Sequence, residues 1–235
     1  MTAWATKRFW ANATAEPCAG GFTVRLDARP VRTPAKAALV LPTRAMAQAI
    51  ADEWDAQTGK VDPRTMPCTR AANSVIDKVA VQFDEVVDML AAYGGTDLLC
   101  YRATGPDDLV ARQAVGWDPL LDWAAQRLGA PLNVTAGLIH IAQPDSSLTA
   151  LHALVACLTP FQLAAFHDLV AISGSLVLAL AVTHRHLAAD KAWTLSRIDE
   201  LWQAELWGTD EDAAAHEALK QAAFLQADRF FALCG

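Results

Sequence analysis

The chain lacks most of the groups that announce a chemistry. Its 235 residues include five cysteines, at positions 18, 68, 100, 157 and 234. An odd count at wide spacings, with no C-x-x-C, signals neither a disulfide framework nor a zinc site. The plain reading is free thiols in a reducing compartment. Positive charge is also short: 19 Lys and Arg against 26 Asp and Glu give a net charge of −7. Phosphate backbones are held by clustered Lys and Arg. The densest group here, Arg25, Arg29, Arg32 and Lys36, has the spacing of a polar strand face, so nucleic acid is not expected as a partner.

Three further motifs are missing. No G-x-x-x-x-G-K-[ST] and no G-x-G-x-x-G is present, so no phosphate cradle is signalled. No G-x-S-x-G is present either. No apolar run reaches the roughly 20 residues that cross a bilayer. The longest uncharged stretch of that kind, Leu169–Thr183, has 15 residues and lies between His167-Asp168 and His184-Arg185. It reads as the buried central helix of a globular domain, without membrane insertion. Met1–Trp10 has no apolar segment of the signal-peptide type. These absences predict a soluble intracellular protein with no cofactor and no metal.

What is present is apolar mass: 53% hydrophobic residues and a mean hydropathy of +0.18, enough to bury a real core. The pattern changes along the chain. Lys7–Ala15 and Phe22–Asp27 read as strands around a Gly20-Gly21 turn, with Phe22, Val24 and Leu26 alternating against Thr23 and Arg25. Ala28–Thr33, with Pro30, reads as a turn or an edge strand, and Ala37–Leu41 as another short strand. Thr43 is placed to cap a helix whose Met46, Ile50 and Trp54 share one face.

Beyond this point the periodicity is helical. Helices are predicted over Ala71–Tyr93, Asp107–Gly116, from Asp118-Pro119 to Gly129, Leu148–Leu158, Pro160–His184, Ala188–Trp207 and Thr209–Leu233. In the last of these Thr209 serves as cap with Asp212 three residues on. Leu132–Gln143 reads as irregular, anchored by Val134, Leu138 and Ile141. The fold class is therefore α+β. A small N-terminal α/β domain with an antiparallel sheet is expected over residues 1–70, and a larger all-helical domain over 71–235, with the boundary between about Gly59 and Val81.

Candidate chemistry is sparse. Ser173-Gly174-Ser175 lies in the apolar stretch, where small residues allow close helix packing. His184-x-His186 could touch a metal, but at a helix end histidines more often meet free carbonyls. Asp52, Glu53 and Asp55 read as a solvated face. Ser196–Gly208 is richer, because Asp199, Glu200 and Glu205 interleave with Trp202 and Trp207. Ile198, Leu201, Trp202 and Glu205 share one broad stripe of a helix. Carboxylates among tryptophans suit an interface of anchors and directional acceptors. A core-facing tryptophan helix with a wet back fits the same pattern, and most of the eight tryptophans are expected in the core. The competing class is a small-molecule hydrolase or transferase using acidic residues of the C-terminal helices, with His140 or His167.

Seven segments in order resemble one family. They are Lys7-Arg8-Phe9, Leu26-Asp27-x-Arg29-Pro30-Val31-x-Thr33-Pro34, and Leu41-Pro42-Thr43 leading to Ala49-Ile50-Ala51-x-Glu53-Trp54. Then come Asp62-Pro63-x-Thr65-Met66-Pro67-x-Thr69, Thr96–Ala103 (TDLLCYRA), Trp117-Asp118-Pro119-Leu120-Leu121-Asp122-Trp123, and Asp199-Glu200-x-Trp202-Gln203-x-Glu205-x-Trp207-Gly208-x-Asp210. Together they resemble the assembly chaperones of the ATP synthase catalytic sector, the factors that bind the free α subunit. The resemblance runs from about Lys7 to the C-terminus.

It implies a small α/β domain followed by a helical one, and a non-enzymatic activity. The chaperone would shield the surface of the unassembled α subunit and release it to β, and would be monomeric alone. It also implies that an acidic position of the Asp199–Trp207 helix is needed. Glu200 is the match by position, with Asp199 and Glu205 close behind, and Trp202 and Trp207 complete the expected partner-binding set. Two departures stand out: Arg70 replaces an apolar residue, and His184-Arg185-His186 replaces a turn that usually carries glycine. Eukaryotic members carry a mitochondrial presequence. Here the pattern begins at Lys7, so a bacterial cytoplasm is expected.

Overall fold

Alternation in the first third of the chain produces the antiparallel sheet of the computed structural model, which describes residues 7–235. Strand β1 (Ala13–Cys18) pairs with β2 (Gly21–Leu26), and β2 with β3 (Arg29–Pro30), in the order β1-β2-β3. Pro30 sits on the edge, where its missing N–H breaks no ladder. Regular pairing begins at Ala13, not at Lys7. Ala37–Leu41 forms only single bridges, Arg32 to Ala38 and Phe22 to Leu41, instead of a strand.

Helix α1 (Arg44–Asp55) crosses behind the sheet. Thr43 caps it through Met46 N (3.1 Å), and Met46, Ala47, Ile50, Ala51 and Trp54 are buried. These residues form one core with Trp10, Val24, Leu39, Leu41 and Met66. The acidic side chains of α1 are not simply solvated. Glu53 accepts from Cys68 N, Thr69 N and Thr69 Oγ1 at 2.6–2.8 Å, so it satisfies the free N–H groups that start α2 (Pro67–Ser74). Asp55 accepts from Ala13 N and pairs with Arg8. Arg8 also donates to Trp10 O, Ala11 O and Gln57 O. The segments beginning Lys7, Ala49 and Asp62 thus fasten one another.

Packing resolves the chain into two units, each drawn from more than one stretch of sequence. The first runs as far as Phe83 and adds Thr159–Ala165 and Arg229–Gly235, and the second holds Asp84–Leu158 and Phe166–Asp228. Within the first, Thr43 Oγ1 donates to Leu233 O (2.5 Å), and Phe161 stacks with Phe230 at 6.5 Å.

The second unit takes in α3 (Phe83–Ala91, from Asp84), α4 (Asp107–Arg127), α5 (Asp145–Ala156), most of α6 (Pro160–Ser173), α7 (Leu176–Thr183), α8 (Ala189–Ser196), α9 (Ile198–Trp207) and most of α10 (Glu211–Ala232). It also contains a parallel pair, β4 (Tyr101–Arg102) with β5 (Thr135–Ala136), where no strand was expected.

Five predicted helices are redrawn. Ala71–Tyr93 is not one helix: α2 ends at Ser74, a π-helical turn runs over Val75–Val79, and α3 restarts at Phe83. Helix α4 runs straight through Asp118-Pro119. Pro119 and Val115, four residues earlier, are both exposed, so the carbonyl that proline cannot bond is left to water. Pro160–His184 is two helices, broken at Gly174, whose φ of +73° suits glycine. Ser175 then caps α7 through Leu178 N. Ala188–Trp207 is also two helices, separated at Arg197. The start of α10 is capped by Asp210 through Ala213 N, not by Thr209.

From Leu176 to Val182 every residue of α7 is buried, as expected of a helix that is apolar on all sides. Its N-terminus meets Asp97, which is fully buried. The Asp97 carboxylate accepts from Ser175 Oγ (2.8 Å), Val177 N (3.0 Å) and Leu99 N (3.0 Å). Burial raises its pKa, against the downward pull of those donors.

Tryptophan mostly follows expectation. Trp10, Trp54, Trp117 and Trp193 are buried, Trp123 and Trp202 are half-buried, and Trp207 is exposed. Trp4 lies outside the described residues.

Candidate functional site

The Asp199–Trp207 segment is α9 after the break at Arg197. Only Ile198 of this helix is buried. Ile198 and Leu195 pack on Gly116 of α4 so closely that a Cβ there would come within 2.9 Å of both side chains. Trp117 adds a hydrogen bond from its indole Nε1 to Leu195 O (2.8 Å). A small residue therefore sets the distance at which α9 sits on α4.

Each predicted acid has a definite partner. Gln113 Nε2 donates to Asp199 Oδ1 (2.6 Å), while Gln113 Oε1 accepts from Ala103 N (2.8 Å). Gln113 is buried, so Asp199 is tied through it to the segment after β4. Glu200 pairs with Arg197 (3.0 Å) one turn back. Arg197 is held in place because its guanidinium also donates to Ile172 O and lies over Trp193 at 5.0 Å. Glu205 receives both Nη atoms of Arg112, at 2.7 and 2.9 Å, a two-pronged pair. Arg112 in turn covers the Trp202 ring at 5.0 Å. That guanidinium holds the Glu205 carboxyl below the usual carboxylate range.

The five predicted residues thus divide. Asp199 and Trp202 face α4 and are half-buried. Glu200 and Glu205 keep their carboxylates exposed, and Trp207 is 79% exposed. Leu201 and Leu206 are exposed beside them. The outer face of α9 is therefore apolar and acidic together, with each acid steered by an arginine anchored in the unit.

The sequence reading missed Arg112, Gln113 and Arg197, which aim these groups. A signal existed for Gln113: Leu109, Gln113 and Trp117 recur at four-residue intervals, a polar residue inside an apolar stripe. The segment before it also converges here. Arg102 lies over Trp117 at 5.3 Å and pairs with Asp118 at 2.7 Å.

Other candidates fall elsewhere. His184 and His186 pack on Trp123, His186 stacked at 4.7 Å, beside an open groove of about 810 Å³ that Asp122, Arg127 and Arg185 also line. Arg185 takes a φ of +57°, in the turn where the resemblance implied a glycine, and pairs with Asp228 (2.8 Å). No group of metal-ligating side chains forms among the described residues. His140 meets Tyr101 Oη at 3.0 Å, and His167 meets Asp168, which raises its pKa. Neither lines that groove. No described helix is long and apolar enough to cross a membrane.

Comparison with known proteins decides the family. The family model described as ATP12 chaperone protein matches residues 7–125. The crystal structure of Atp12 from Paracoccus denitrificans is 53% identical, with a TM-score of 0.95 over 97% of this chain and 98% of that one.

The chain belongs to the ATP12 chaperone family.

The same similarity holds for a variant of the P. denitrificans ATP12 protein in which an aspartate is replaced by lysine, again with a TM-score of 0.95. A putative chaperone of Agrobacterium tumefaciens, Atu1473, is 40% identical with a TM-score of 0.92, over 97% of this chain and 86% of that one. The mitochondrial protein atp12 of Schizosaccharomyces pombe is 25% identical over 219 residues, 88% of this chain and 75% of the yeast protein. ATP12 membership makes this chain a chaperone of ATP synthase assembly, as the seven-segment resemblance implied.

Proposed function

We propose that this chain binds the unassembled α subunit of the ATP synthase catalytic sector, covers its subunit-contact surface, and releases it to the β subunit without catalysing a reaction. The observation that carries this reading is the outer face of α9, where exposed Glu200 and Glu205 flank Leu201, Leu206 and Trp207. A free subunit exposes apolar surface meant for its neighbour, and such patches aggregate. An exposed tryptophan and two leucines offer apolar contact to that surface. Carboxylates steered by Arg112 and Arg197 add direction and limit tightness. A holder without a phosphate cradle has to release by competition, so a semi-polar face of moderate affinity suits it. The chaperone is taken to act as a monomer in a bacterial cytoplasm, in keeping with its bacterial relatives at 53% and 40% identity.

Charge reversal tests the face. In cells producing the α subunit without β, the wild-type chain is expected to keep α in the supernatant. Glu200→Lys is expected to leave the circular dichroism and melting temperature unchanged while α pellets. Glu200 is exposed, and its pair with Arg197 is of the surface kind that contributes at most about 1 kcal/mol. A Glu200→Lys protein that still held α in solution would remove this role from α9.

A further inference from the structure

Ile198 and Phe224 are buried, and the stretch between them, residues 199–223, contains no buried residue. It comprises nearly all of α9 and the first half of α10, so two helices project from the unit as an arm. Both roots are firm. Ile198 packs on Gly116 of α4, and Phe224 meets the Trp193 ring at 6.0 Å.

The two halves of the arm keep their place for different reasons. The α10 half reads EDAAAHEALKQAA over residues 211–223. It is dominated by strong helix formers and continues a helix anchored at Phe224 and Ala227. It also carries its own bonds: Asp210 caps Ala213 N, and Lys220 pairs with Glu217. Helix α9 has less support. It has ten residues, and a free helix shorter than about 12–15 is marginal in water. Its ends are breaks in the chain, at Arg197 and at Gly208, whose φ is +83°. No side chain caps its N-terminus. The position of α9 therefore depends on what holds it to α4.

Two side chains of α4 do so. Gln113 holds Asp199 at the root. Past Glu200, among the described residues, every side-chain hydrogen bond that leaves the arm ends on Arg112. Its two Nη atoms grip Glu205 while the guanidinium lies over Trp202 at 5.0 Å, so one group holds two neighbouring residues of the helix face. The arm has seven acidic residues and one lysine, and that lysine is taken by Glu217. The cation for Glu205 comes from α4.

We infer that α9 opens and closes on α4, with Arg112 as its clasp and Arg197 and Gly208 as its hinges. The structure holds the closed state. When the guanidinium lets go, residues 201–207 leave α4 while Ile198 and the rooted half of α10 stay seated. Exposed ion pairs are weak, so the closed state is left readily. Opening frees the Glu205 carboxylate and bares the covered face of Trp202, which widens the surface that α9 can offer. The clasp is a property of the chaperone alone and does not depend on the identity of the client.

Hydrogen exchange on the full chain without client tests it, comparing the wild type with Arg112→Gln. Amides of residues 201–207 are expected to exchange about three- to fivefold faster in the variant, the range that an exposed ion pair allows. Amides of α7 are expected to keep the wild-type rate. Raising sodium chloride from about 0.05 M to about 1 M should bring the ratio toward one, because salt screens the pair. An unchanged rate at 201–207 overturns the clasp. Acceleration that spreads equally to α4 and α7 also overturns it, since Arg112 then supports the whole unit and not the arm. A ratio that ignores salt overturns it too, because packing of the arginine stem then explains the effect. None of these outcomes touches the α-subunit reading, which recovery of α tests separately.

Discussion

Two carboxylate settings in the helical unit show how differently the same side-chain chemistry is used. Asp97, in the segment Thr96–Ala103, is completely buried and spends both oxygens on N–H and O–H groups at the start of α7 and at Leu99. Glu200 and Glu205 of α9 lie in water with an arginine each. Both settings fall in segments that carried the family resemblance, yet only the second can offer an acid to another protein. The first holds the unit together. Family-typical acids therefore have to be sorted by burial and partner before any is assigned to binding.

The contrast breaks hardest at Asp97. Asp97→Ala leaves several buried donors unmet, each costing about 1–3 kcal/mol. Urea unfolding should show a loss of roughly 3–5 kcal/mol or a chain that does not fold. A loss below about 1 kcal/mol would mean that water replaces the carboxylate.

The pH dependence sharpens the same point. A carboxylate whose native pKa is raised binds its proton more tightly when folded. Its stabilising contribution is full below the unfolded value near 3.9 and is lost as pH rises through the raised native pKa. Subtracting the stability of Asp97→Asn from that of the wild type, measured from pH 4 to pH 8, should give a difference that shrinks as pH rises. A flat difference would show that the donors fully offset burial.

The joint between α4 and α9 should give an intermediate effect. Gly116→Val drives a branched side chain into Ile198 and Leu195, and overpacking of this kind costs about 1–3 kcal/mol. It should weaken client binding too, because α9 is displaced. Retained binding at reduced stability would separate the face from its seat.

The smallest change is expected at Glu205. Glu205→Gln removes one side of an exposed pair with Arg112, so its melting temperature should stay within about 2 °C, in line with a surface contribution under about 1 kcal/mol. Client recovery reports whether Glu205 itself contributes.

Local pattern made part of this legible. The alternation of Phe22, Val24 and Leu26 predicted β2, and Thr43 with Met46, Ile50 and Trp54 predicted the cap and buried face of α1. The family's seven segments located the acidic helix. What escaped depends on groups distant in sequence. Nothing near Asp97 says that it ends against a helix beginning at Leu176. Arg197 breaks Ala188–Trp207 where its side chain reaches Ile172 O. Glu53 looked solvated because its donors, Cys68 and Thr69, lie 15 and 16 residues ahead. Val134, Leu138 and Ile141 were read as anchors because apolar residues in an irregular stretch ordinarily serve so, but Val134 and Leu138 are exposed, and hydrogen bonds of Gln143 and Asn133 fasten the segment.

The arrangement at α7 also bears on how the chain comes into being. A helix with no polar side cannot rest in water, so from the ribosome onward it is itself a sticky segment needing cover. Asp97 precedes Val177 by 80 residues, so the acceptor for the new helix's leading N–H groups is made first and is waiting when the helix emerges. A chaperone has, in the order of its own translation, arranged shelter for its most vulnerable stretch.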